Sequence, residues 1–470
     1  MQLEQLVKDI VMDGVSFPPI DVTGICTHSG DVTDGSLFVA IYGTDIDGHD
    51  FIPQAIDNGA SAIISNGREL GILPVPNIKV ANPRLAASRI AAEYYGHPTK
   101  ELTVIGITGT NGKTTTASIL NKIMKSADIQ TAQLGTLGII ADGFSPEKTL
   151  TTPDPISLQR TFRTLADKGF THIIMEVSSH ALDQHRVADV NFDMGAFTNL
   201  SSEHLDYHPS MDDYFRAKTK LFYSLPITGT AIVNFDDERG PAMARESQAP
   251  VVALSKCGPA DIYYTELSVD LKGIHGMVKA GDMLINVSSS LLGEFNAENI
   301  LCALSLAVSL GIDPDFIQNG ITNCQTISGR MESFQLKNGA SVIVDYAHTS
   351  DAYTKVLSTI HQMKIPEGKM NIVFGCGGDR DTTKRSEMGR IAEQFGDQLW
   401  ITPDNPRSEE INEINDQILT GISDTNNRVF EDRSIGLNAA LAALNKEDIL
   451  VVLGKGREAY QEIKGKKIPY

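Results

Sequence analysis

A glycine-rich loop between an apolar segment and a helix-like segment constrains this chain more than any other feature. Residues 105–116 read Ile-Gly-Ile-Thr-Gly-Thr-Asn-Gly-Lys-Thr-Thr-Thr, and an amphipathic stretch from Ala117 to Ser126 follows. This pattern predicts a strand, a tight loop and a helix. Glycines at positions 109 and 112 let backbone N–H groups close on an anion, and the helix presents its positive N-terminus to the same anion.

Two further side chains of the loop fit a nucleoside triphosphate. Lys113 carries a mobile positive charge for the outer phosphates, and the Thr114 hydroxyl is placed for a magnesium ion. The loop departs from the strict phosphate-loop spacing, because Ile107 stands where that pattern has its first glycine. The alternative is a glycine-rich turn that binds nothing. We favour phosphate binding, because Gly-Lys-Thr-Thr directly after an apolar strand is a demanding coincidence.

Charge and composition narrow the class of partners. The chain has 470 residues, a formal net charge of −19 and a sequence pI near 5.0. This length predicts two to four domains. The acidic balance argues against a nucleic-acid-binding protein, which needs basic residues to neutralise phosphates. Anionic substrates must therefore be bound by local positive groups.

The N-terminus and the cysteines bear on the compartment. Residues 1–5 contain neither a basic region nor an apolar core of a signal peptide, and no apolar run approaches the length of a membrane span. The five cysteines are scattered without a C-x-x-C pair, which argues against a disulfide framework and a zinc site. We expect a cytoplasmic protein with buried free thiols and no membrane or nucleic-acid partner.

Alternating strand-like and helix-like segments predict an α/β protein with three domains. Residues 1–97 are expected to form a small N-terminal α/β domain, with a strand near Leu37–Ile41 and a helix opened by Asn82. Residues 98–326 are expected to form a central phosphate-loop domain around a mostly parallel sheet. Residues 327–470 are expected to form a Rossmann-like domain with a ligand crevice at the carboxyl ends of its strands. Asn296 and Asn299 are expected to open a helix from Ile300 to Leu310.

Acidic and histidine side chains follow the strands of the central domain. Glu176 lies near the end of an apolar strand, and residues 197–208 contain two histidines and two acids, His204 among them. Magnesium prefers oxygen ligands with an occasional imidazole, so both segments fit a magnesium site. The alternative for Glu176 is a strand-end residue without a ligand. The alternative for residues 197–208 is a polar loop that caps a helix. Lys218 lies on a predicted helix from Asp212 to Leu221, and a lone helical lysine is usually a solvated surface residue.

Three strands of the C-terminal domain each end in a turn rich in glycine, proline or charge. The turns lie at residues 375–380, 404–407 and 454–458. The first does not match the dinucleotide fingerprint G-x-G-x-x-G, so no dinucleotide is inferred. Each turn could be purely structural. Three of them with arginines favour a site for a carboxylate, which arginine binds with two parallel hydrogen bonds.

Eight segments together carry a resemblance to a known family. They are Gly109-Thr110-Asn111-Gly112-Lys113-Thr114-Thr115, Thr151-Thr152-Pro153-Asp154, Glu176-Val177-Ser178-Ser179-His180, Thr198-Asn199-Leu200-Ser201, His204-Leu205-Asp206-Tyr207-His208, Gly329-Arg330-Met331-Glu332, Asp345-Tyr346-Ala347-His348 and Asp404-Asn405-Pro406-Arg407. On these segments the chain resembles the Mur ligases, and within them the MurE type, which adds the third residue of the peptidoglycan stem peptide. The resemblance implies one domain each for a UDP-sugar, ATP and an incoming amino acid.

The resemblance also implies roles for individual residues. Those implied to bind ATP are Gly109, Thr110, Asn111, Gly112, Lys113, Thr114 and Thr115, with Asn296, Arg330 and Asp345 near the rest of the nucleotide. Those implied to bind UDP-N-acetylmuramoyl-L-alanyl-D-glutamate are Thr151, Thr152, Ser178, Gln184 and Arg186, with Ser29 and Thr44 toward the uridine. Those implied to bind the amino acid are Arg380, Asp404, Asn405, Pro406, Arg407, Gly454 and Glu458. The implied magnesium ligands are Thr114, Glu176 and His204, and Lys218 matches a lysine carried as an N-carboxylated carbamate that holds a second ion.

The implied reaction is an ATP-dependent amide ligation through an acyl phosphate, with Lys113, Lys218, His204 and Glu176 as catalytic residues. Asn405 and Arg407 resemble the subtype that uses meso-diaminopimelate, and lysine in its place would leave Arg407 unpaired. Other readings are the lysine-adding subtype, a ligase resembling folylpolyglutamate synthetase, and a non-catalytic ATP-binding scaffold. A monomer is expected.

Overall fold

The protein is an α/β chain with three larger sheets and a short terminal hairpin. The computed structural model describes residues 1–11, 18–43, 46–144, 150–270, 273–423, 425–456, 458 and 460–469. Thr44, a candidate uridine contact, and the neighbouring Asp45 lie outside these residues. Each larger sheet lies within one of the three ranges predicted for the domains.

The N-terminal sheet has four parallel strands in the order β1-β2-β3-β4. The strands are β1 (Gly24–Cys26), β2 (Ser36–Val39), β3 (Ala60–Ser65) and β4 (Asn77–Lys79), and the helices are α1 (Leu3–Val7), α2 (Ile52–Asp57) and α3 (Pro83–Tyr94). The predicted helix start at Asn82 is confirmed, because its side chain accepts hydrogen bonds from the backbone N–H groups of Arg84 and Leu85. Pro83 follows at the first helical position, where its missing N–H costs nothing.

The central sheet has ten strands. They are β5 (Thr103–Thr108), β6 (Thr131–Gly135), β7 (Gly138–Ile140), β8 (His172–Glu176), β9 (Met194–Phe197), β10 (Thr230–Asn234), β11 (Val251–Ser255), β12 (Ile262–Asp270), β13 (Gly273–Ala280) and β14 (Met283–Ser289). Their order is β14-β13-β12-β11-β10-β9-β5-β8-β6-β7. The pairs between β12 and β6 are parallel, and antiparallel strands complete both edges. The mostly parallel sheet is therefore confirmed.

Helices cover both faces of the central sheet. They are α4 (Lys113–Ser126), α5 (Pro155–Asp167), α6 (Ser179–Asp183), α7 (Met211–Tyr223), α8 (Gly240–Arg245), α9 (Glu294–Ser309) and α10 (Pro314–Asn323). Ile105 and Ile107 of β5 pack with α4, α9 and α10, whereas Val104 faces the core that contains α5 and α7. This alternation follows from the two-residue period of a strand.

The predicted start of α9 is wrong. The helix begins at Glu294, so Asn296 and Asn299 lie inside it and do not cap it. The Asn296 amide donates a hydrogen bond to the Leu292 carbonyl oxygen at 2.8 Å, and the Asn299 amide donates to Asn296 Oδ1 at 3.0 Å. These bonds satisfy polar side chains in an otherwise apolar helix.

The C-terminal sheet has six strands in the order β15-β16-β20-β17-β18-β19, and all neighbours except β15 and β16 are parallel. The strands are β15 (Glu332–Gln335), β16 (Ser341–Val344), β17 (Met370–Phe374), β18 (Gln398–Ile401), β19 (Asn427–Val429) and β20 (Ile449–Val452). The helices are α11 (Ser350–Met363), α12 (Lys384–Phe395), α13 (Ile411–Leu419) and α14 (Arg433–Ala442). An antiparallel hairpin of β21 (Tyr460–Ile463) and β22 (Lys466–Pro469) follows.

The exposure of the cysteines and the length of the apolar helices can be read from the structure. Four cysteines are buried free thiols, but Cys257 is exposed in the turn after β11, so the expectation that all five are buried is wrong. Within the described ranges, no helix is both long enough and apolar enough to cross a membrane.

Candidate active site

The glycines of the loop after β5 allow a close approach of two other segments. Gly109 and Gly112 have φ angles of +150° and +89°. A Cβ on Gly109 would collide with the Thr198 hydroxyl, and a Cβ on Gly112 would collide with the Asn299 amide. Glycine is therefore required at both positions for conformation and for space. Gly112 immediately precedes α4, so the loop leads directly into a helix N-terminus.

Asn199 holds the loop open from the neighbouring strand end. Its carbonyl oxygen accepts the Thr110 N–H at 2.8 Å, and its side-chain oxygen accepts the Asn111 N–H at 2.9 Å. Thr110 also accepts the N–H of Ser201 through its hydroxyl at 3.0 Å. A fixed loop followed by a helix N-terminus is a fitting cradle for nucleotide phosphates.

Two lysines donate to the same backbone oxygen. The ammonium groups of Lys113 and Lys218 each lie 2.9 Å from the Gly109 carbonyl oxygen, and Lys113 also donates to the Thr110 carbonyl at 2.8 Å. Lys218 is almost fully buried and lies 4.4 Å from the Tyr214 ring centroid. The interpretation of Lys218 as a solvated surface residue is therefore wrong, because the inner face of α7 turns it toward the loop.

Burial and mutual repulsion act on these two lysines. Burial lowers the pKa of Lys113, although the charges of Glu203 and Glu176 oppose this shift. Burial and the charge of Lys113 bring the pKa of Lys218 well below its usual range, with Glu203 opposing. Lys218 is therefore readily available as a neutral amine, which is the nucleophilic form.

Glu176 gathers the groups expected at a magnesium site. One carboxylate oxygen accepts the Thr114 hydroxyl at 2.9 Å and the Thr136 hydroxyl at 3.1 Å, and the other accepts the Thr136 N–H at 2.9 Å. Arg330 reaches the Thr114 hydroxyl from the C-terminal domain at 3.4 Å. A carboxylate and a hydroxyl are oxygen donors that suit Mg²⁺. Among the described residues, no three His, Cys, Asp or Glu side chains are close enough to hold a metal on their own.

Glu203 is a buried carboxylate that the sequence did not single out. Its side chain lies 3.1 Å from His348 Nε2 of the C-terminal domain and 3.8 Å from His204 Nε2. Burial alone would raise the pKa of Glu203, but His348, His204 and Lys113 hold it well below the usual range. Glu203 therefore remains an anion beside the two lysines. Only its place next to His204 in the chain could have indicated this role.

His204 remains a candidate metal ligand by its protonation state. Burial lowers the pKa of His204 to about 4, despite the charge of Glu203. A neutral imidazole can bind a metal ion. The ring packs edge-on against His180, with 4.8 Å between centroids. Burial likewise lowers the pKa of His180 to about 4.

The remaining candidate nucleotide contacts lie around the loop. Thr115 is buried in the first turn of α4, and Asn299 of α9 approaches Gly112 of the loop and donates to Asn296. Asp345 is buried after β16 and accepts the N–H groups of Met331 and Ala347 at 2.8 and 2.7 Å. Burial raises the pKa of Asp345, although Arg330 and these bonds oppose the shift.

The residues expected to bind the dipeptide form a connected set next to Glu176. The Thr152 hydroxyl donates to the Glu176 carbonyl oxygen at 2.9 Å and accepts the Ser178 N–H at 3.0 Å. Arg186 donates to the Thr152 carbonyl oxygen at 2.9 Å and to Gln184 Oε1 at 2.7 Å. Thr151 contacts Thr136, which itself binds Glu176.

Ser29 lies apart from this set. It is buried in the N-terminal domain, where its hydroxyl donates to Gln54 Oε1 at 2.9 Å. The structure therefore does not bring Ser29 together with the other candidates.

A cavity of about 860 Å³ lies between the central and C-terminal domains. Of the predicted site residues, those that line it are Thr151, Thr152, Ser178, Arg186, His204, Arg380, Asp404, Asn405, Arg407, Gly454 and Glu458. Most of the residues expected to bind the dipeptide and the amino acid thus face one space, whereas Ser29, Gln184 and Pro406 do not line it. Glu203 and His348 line the same cavity, which places it beside the loop lysines.

Arg407 already has partners in this cavity. Its guanidinium donates to the Gly378 carbonyl oxygen at 2.5 Å, and its Nε lies 3.3 Å from a carboxylate oxygen of Glu462 in β21. The premise that lysine would leave Arg407 unpaired is therefore wrong. The physical reason is that the terminal hairpin brings Glu462 to the turn that carries Arg407. We therefore expect Arg407 to discriminate less strongly between meso-diaminopimelate and lysine than a buried cation without other partners would.

Backbone packing and ion pairs position the other residues that are expected to bind the amino acid in the C-terminal domain. Arg380 lies 3.9 Å from Asp206 across the domain boundary. Gly454 has a φ of +99°, and a Cβ there would collide with Asp404. The Pro406 carbonyl oxygen lies close behind Gly378, which accounts for the glycine in that turn. The turns after β17, β18 and β20 therefore pack on one another as a single site.

Comparison with known proteins follows the same three regions. Family models match residues 21–95 (Mur ligase family, catalytic domain), 107–307 (Mur ligase middle domain) and 329–456 (Mur ligase, glutamate ligase domain). A UDP-N-acetylmuramoyl-L-alanyl-D-glutamate--2,6-diaminopimelate ligase from Geobacter metallireducens is 39% identical, over 94% of this chain and 91% of its own. The enzyme of that name from Aquifex aeolicus is also 39% identical, over 96% of this chain and 92% of its own.

A solved structure shows the same arrangement. That of a UDP-N-acetylmuramoyl-L-alanyl-D-glutamate--2,6-diaminopimelate ligase superimposes with a TM-score of 0.70 at 29% identity, covering 100% of this chain and 96% of the other. The sequence matches extend over nearly the full length of the chain. By these matches the chain belongs to the Mur ligase family, whose members are ATP-dependent ligases.

Proposed function

We propose that this protein joins meso-diaminopimelate to the D-glutamyl carboxylate of UDP-N-acetylmuramoyl-L-alanyl-D-glutamate, using ATP, as a monomer in the cytoplasm. The observation that carries the proposal is the shared cavity. Thr152, Ser178 and Arg186 line it from the central domain, and Asn405 and Arg407 line it from the C-terminal domain. An acyl acceptor and an acyl donor could thus meet next to the phosphate loop. The relatives named above carry this activity in their names.

A carboxylate is a poor acyl donor, because oxide is not a feasible leaving group. ATP overcomes this by transferring its γ-phosphoryl group to the D-glutamyl carboxylate, which gives an acyl phosphate and ADP. The amine of the incoming amino acid then forms the amide bond and phosphate leaves. Such transfer needs positioning and charge neutralisation more than covalent help from the protein.

The residues of the loop supply the charge and the position. Gly109 and Gly112 open the backbone for the phosphates, and Lys113 can turn from its carbonyl partners toward the outer phosphates. Thr114, Glu176 and His204 would hold magnesium, which neutralises phosphate charge when bound. The oxygens of Thr114 and Glu176 already lie together, and a neutral imidazole can bind a metal ion, which supports this donor set.

A carbamate on Lys218 forms part of the proposal. A buried neutral amine can attack dissolved CO₂, forming a C–N bond and releasing the amine proton. The product is an anion next to Lys113, so the repulsion between two cations becomes an attraction. Two oxygens would also become available for a second magnesium ion. The buried, cation-crowded position of Lys218 supports this step.

The choice of amino acid is proposed to rest on charges in the C-terminal turns. Meso-diaminopimelate carries a carboxylate beside its distal amine, which lysine lacks. Arg407 retains donors on its terminal nitrogens for that carboxylate, while Glu462 holds its Nε. Glu458 faces the same cavity and can accept the neighbouring ammonium.

The test is product formation by purified protein with ATP, magnesium and UDP-N-acetylmuramoyl-L-alanyl-D-glutamate. Meso-diaminopimelate and L-lysine are supplied separately, and the products are identified by mass spectrometry. We expect the diaminopimelate adduct with a kcat/KM at least about tenfold above that for lysine, since one charge-assisted contact is lost with lysine. Equal kcat/KM values for the two amino acids, or a preference for lysine, would contradict the proposal that meso-diaminopimelate is the substrate. Absence of both adducts would remove the ligase activity.

A further inference from the structure

A lysine that does not line the cavity connects two residues that do. Lys455 follows β20, and only 1% of its surface is exposed. Its ammonium donates to Asn405 Oδ1 at 2.8 Å and to Glu458 Oε2 at 2.8 Å. Burying a charge is costly unless it is paired and hydrogen-bonded, so both contacts are needed to keep this lysine in place.

Lys455 and the Glu462 N–H together fix which way the Asn405 amide points. Its side-chain oxygen accepts both from Lys455 and from the Glu462 N–H, at 2.8 and 2.9 Å. Its amide nitrogen must then lie on the opposite side, where it donates to Glu458 Oε2 at 3.2 Å. One N–H of that amide remains for the cavity that Asn405 lines.

Lys455 also sets the charge of Glu458. Burial alone would raise the pKa of Glu458, but Lys455, Asn405 and Tyr346 lower it below the usual range. Glu458 Oε1 accepts the Tyr346 hydroxyl at 3.0 Å, and Oε2 accepts from both Lys455 and Asn405. The carboxylate thus stays ionised and fixed in orientation, with remaining lone pairs for a ligand.

We propose that Lys455 is a positioning residue that selects the amino-acid substrate. Through Asn405 and Glu458 it presents an outward amide N–H beside an ionised carboxylate, and this pair suits a ligand end that bears a carboxylate next to an ammonium. The inference rests on the proposed function and assigns its specificity to a residue outside the cavity wall.

The test is Lys455→Met, which keeps the length of the side chain and removes its charge. We expect the KM for meso-diaminopimelate to rise about tenfold or more, since the charge-assisted bonds that hold Asn405 and Glu458 are lost. The kcat should change less than about threefold, and the KM for ATP should stay unchanged. The acidic limb of kcat/KM for meso-diaminopimelate should move to higher pH, because Glu458 loses its cation.

Lys467→Met is the matched control. The ammonium groups of Lys455 and Lys467 lie 5.8 and 4.9 Å from the same Tyr460 ring, but Lys467 is exposed. This control should keep the wild-type KM values and pH profile. An unchanged KM for meso-diaminopimelate in Lys455→Met would overturn the inference while leaving the proposed function intact. Wild-type protein that makes no diaminopimelate adduct would overturn both.

A double variant covers the case in which Lys455→Met does not fold. Lys455→Met with Glu458→Gln removes the lysine and its anionic partner together, so no buried charge is left alone. Because Lys455 acts through both Asn405 and Glu458, adding Lys455→Met to a variant that carries Asn405→Ala and Glu458→Gln should leave the KM for meso-diaminopimelate unchanged. A further rise of tenfold on that addition would contradict this path.

Discussion

Lys218 is a residue whose position favours reactivity over stability. Because its folded pKa lies below the unfolded value of about 10.4, the unfolded chain binds the proton more tightly. The contribution of Lys218 to the free energy of unfolding therefore rises with pH between its pKa in the folded protein and its pKa in the unfolded chain. At neutral pH this lysine costs stability.

In buffer depleted of CO₂, where Lys218 is an unmodified amine, Lys218→Met should raise the free energy of unfolding at pH 7 by up to ~4 kcal/mol, since a buried amine whose pKa is lowered is replaced by an apolar side chain of similar length. The variant should also lose most ligase activity. Denaturant unfolding at several pH values measures the first effect, and the rise of stability with pH should be smaller in the variant. Lys220→Met on the exposed face of α7 is the control. A variant less stable than wild type at all pH values would contradict the reasoning.

Whether a residue could be predicted from the sequence depends on how far away its partners lie along the chain. The strand, glycine loop and helix around Gly109 to Thr115 could be predicted from sequence, because their conformation follows from local spacing. Glu203 and Lys455 could not, because their roles come from burial and from partners 145 and 50 residues away. Arg407 was recognised, but its partner Glu462 was not, since nothing in the chain indicates that the hairpin returns to that turn.

At the scale of elements, the terminal hairpin braces the turn that carries Asn405 and Arg407. The Gln461 amide donates to the carbonyl oxygens of Pro403 and Asp404 at 3.1 and 2.7 Å. The Arg407 N–H donates to the Glu462 carbonyl oxygen at 3.0 Å. The hairpin therefore lies behind the turn in which we propose amino-acid binding.

Gln461→Ala should raise the KM for meso-diaminopimelate about tenfold, because two hydrogen bonds worth roughly 1 kcal/mol each no longer hold the turn. The KM for ATP should not change, since the loop lies in another domain. Steady-state kinetics with each substrate varied in turn measures both values. Lys464→Gln breaks only an exposed ion pair with Glu410 and should behave as wild type. Equal shifts for both substrates would indicate general loosening instead.

The elements with a clear period were the predictable ones. Strands β2, β5, β8, β17, β18 and β20 and helices α3, α4 and α7 have the predicted type and lie where the sequence pattern placed them. The edge hairpin of β6 and β7 and the terminal hairpin were not predicted. Their strands are short and half polar, so their residues carry no clear alternation, and tertiary contacts decide their conformation. The start of α9 was misplaced for a similar reason, because asparagines that usually cap a helix are bonded inside it.

At the scale of the whole molecule, side chains join the central and C-terminal domains around the cavity. Asn111 of the phosphate loop donates to Asp351 of α11 at 3.2 Å, and His348 contacts Glu203 at 3.1 Å. Arg330 reaches Thr114 at 3.4 Å. Each contact pairs a residue in or next to the phosphate-loop region with one from the C-terminal domain. The position of the C-terminal domain is thus linked directly to the loop.

Asp351→Ala should loosen this arrangement. We expect a larger radius of gyration in small-angle scattering and a kcat lowered by about tenfold, because misplacement of reacting groups is costly in rate. Lys355→Ala is the control, since Lys355 pairs with Asp351 within α11 and leaves the Asn111 contact in place. A variant with wild-type scattering and kcat would show that this contact does not hold the domains.

The resting place of Lys113 bears on how a turnover ends. Its ammonium donates to two carbonyl oxygens of its own loop. On the proposed function, this lysine has partners to return to when ADP and phosphate depart, so product dissociation does not leave a bare buried cation behind. The same exchange works against weak competitors. An inorganic phosphate ion must replace two good hydrogen bonds before it gains anything, whereas a nucleotide brings further contacts along its whole length. On the proposed function, we therefore expect the loop to favour ATP over inorganic phosphate.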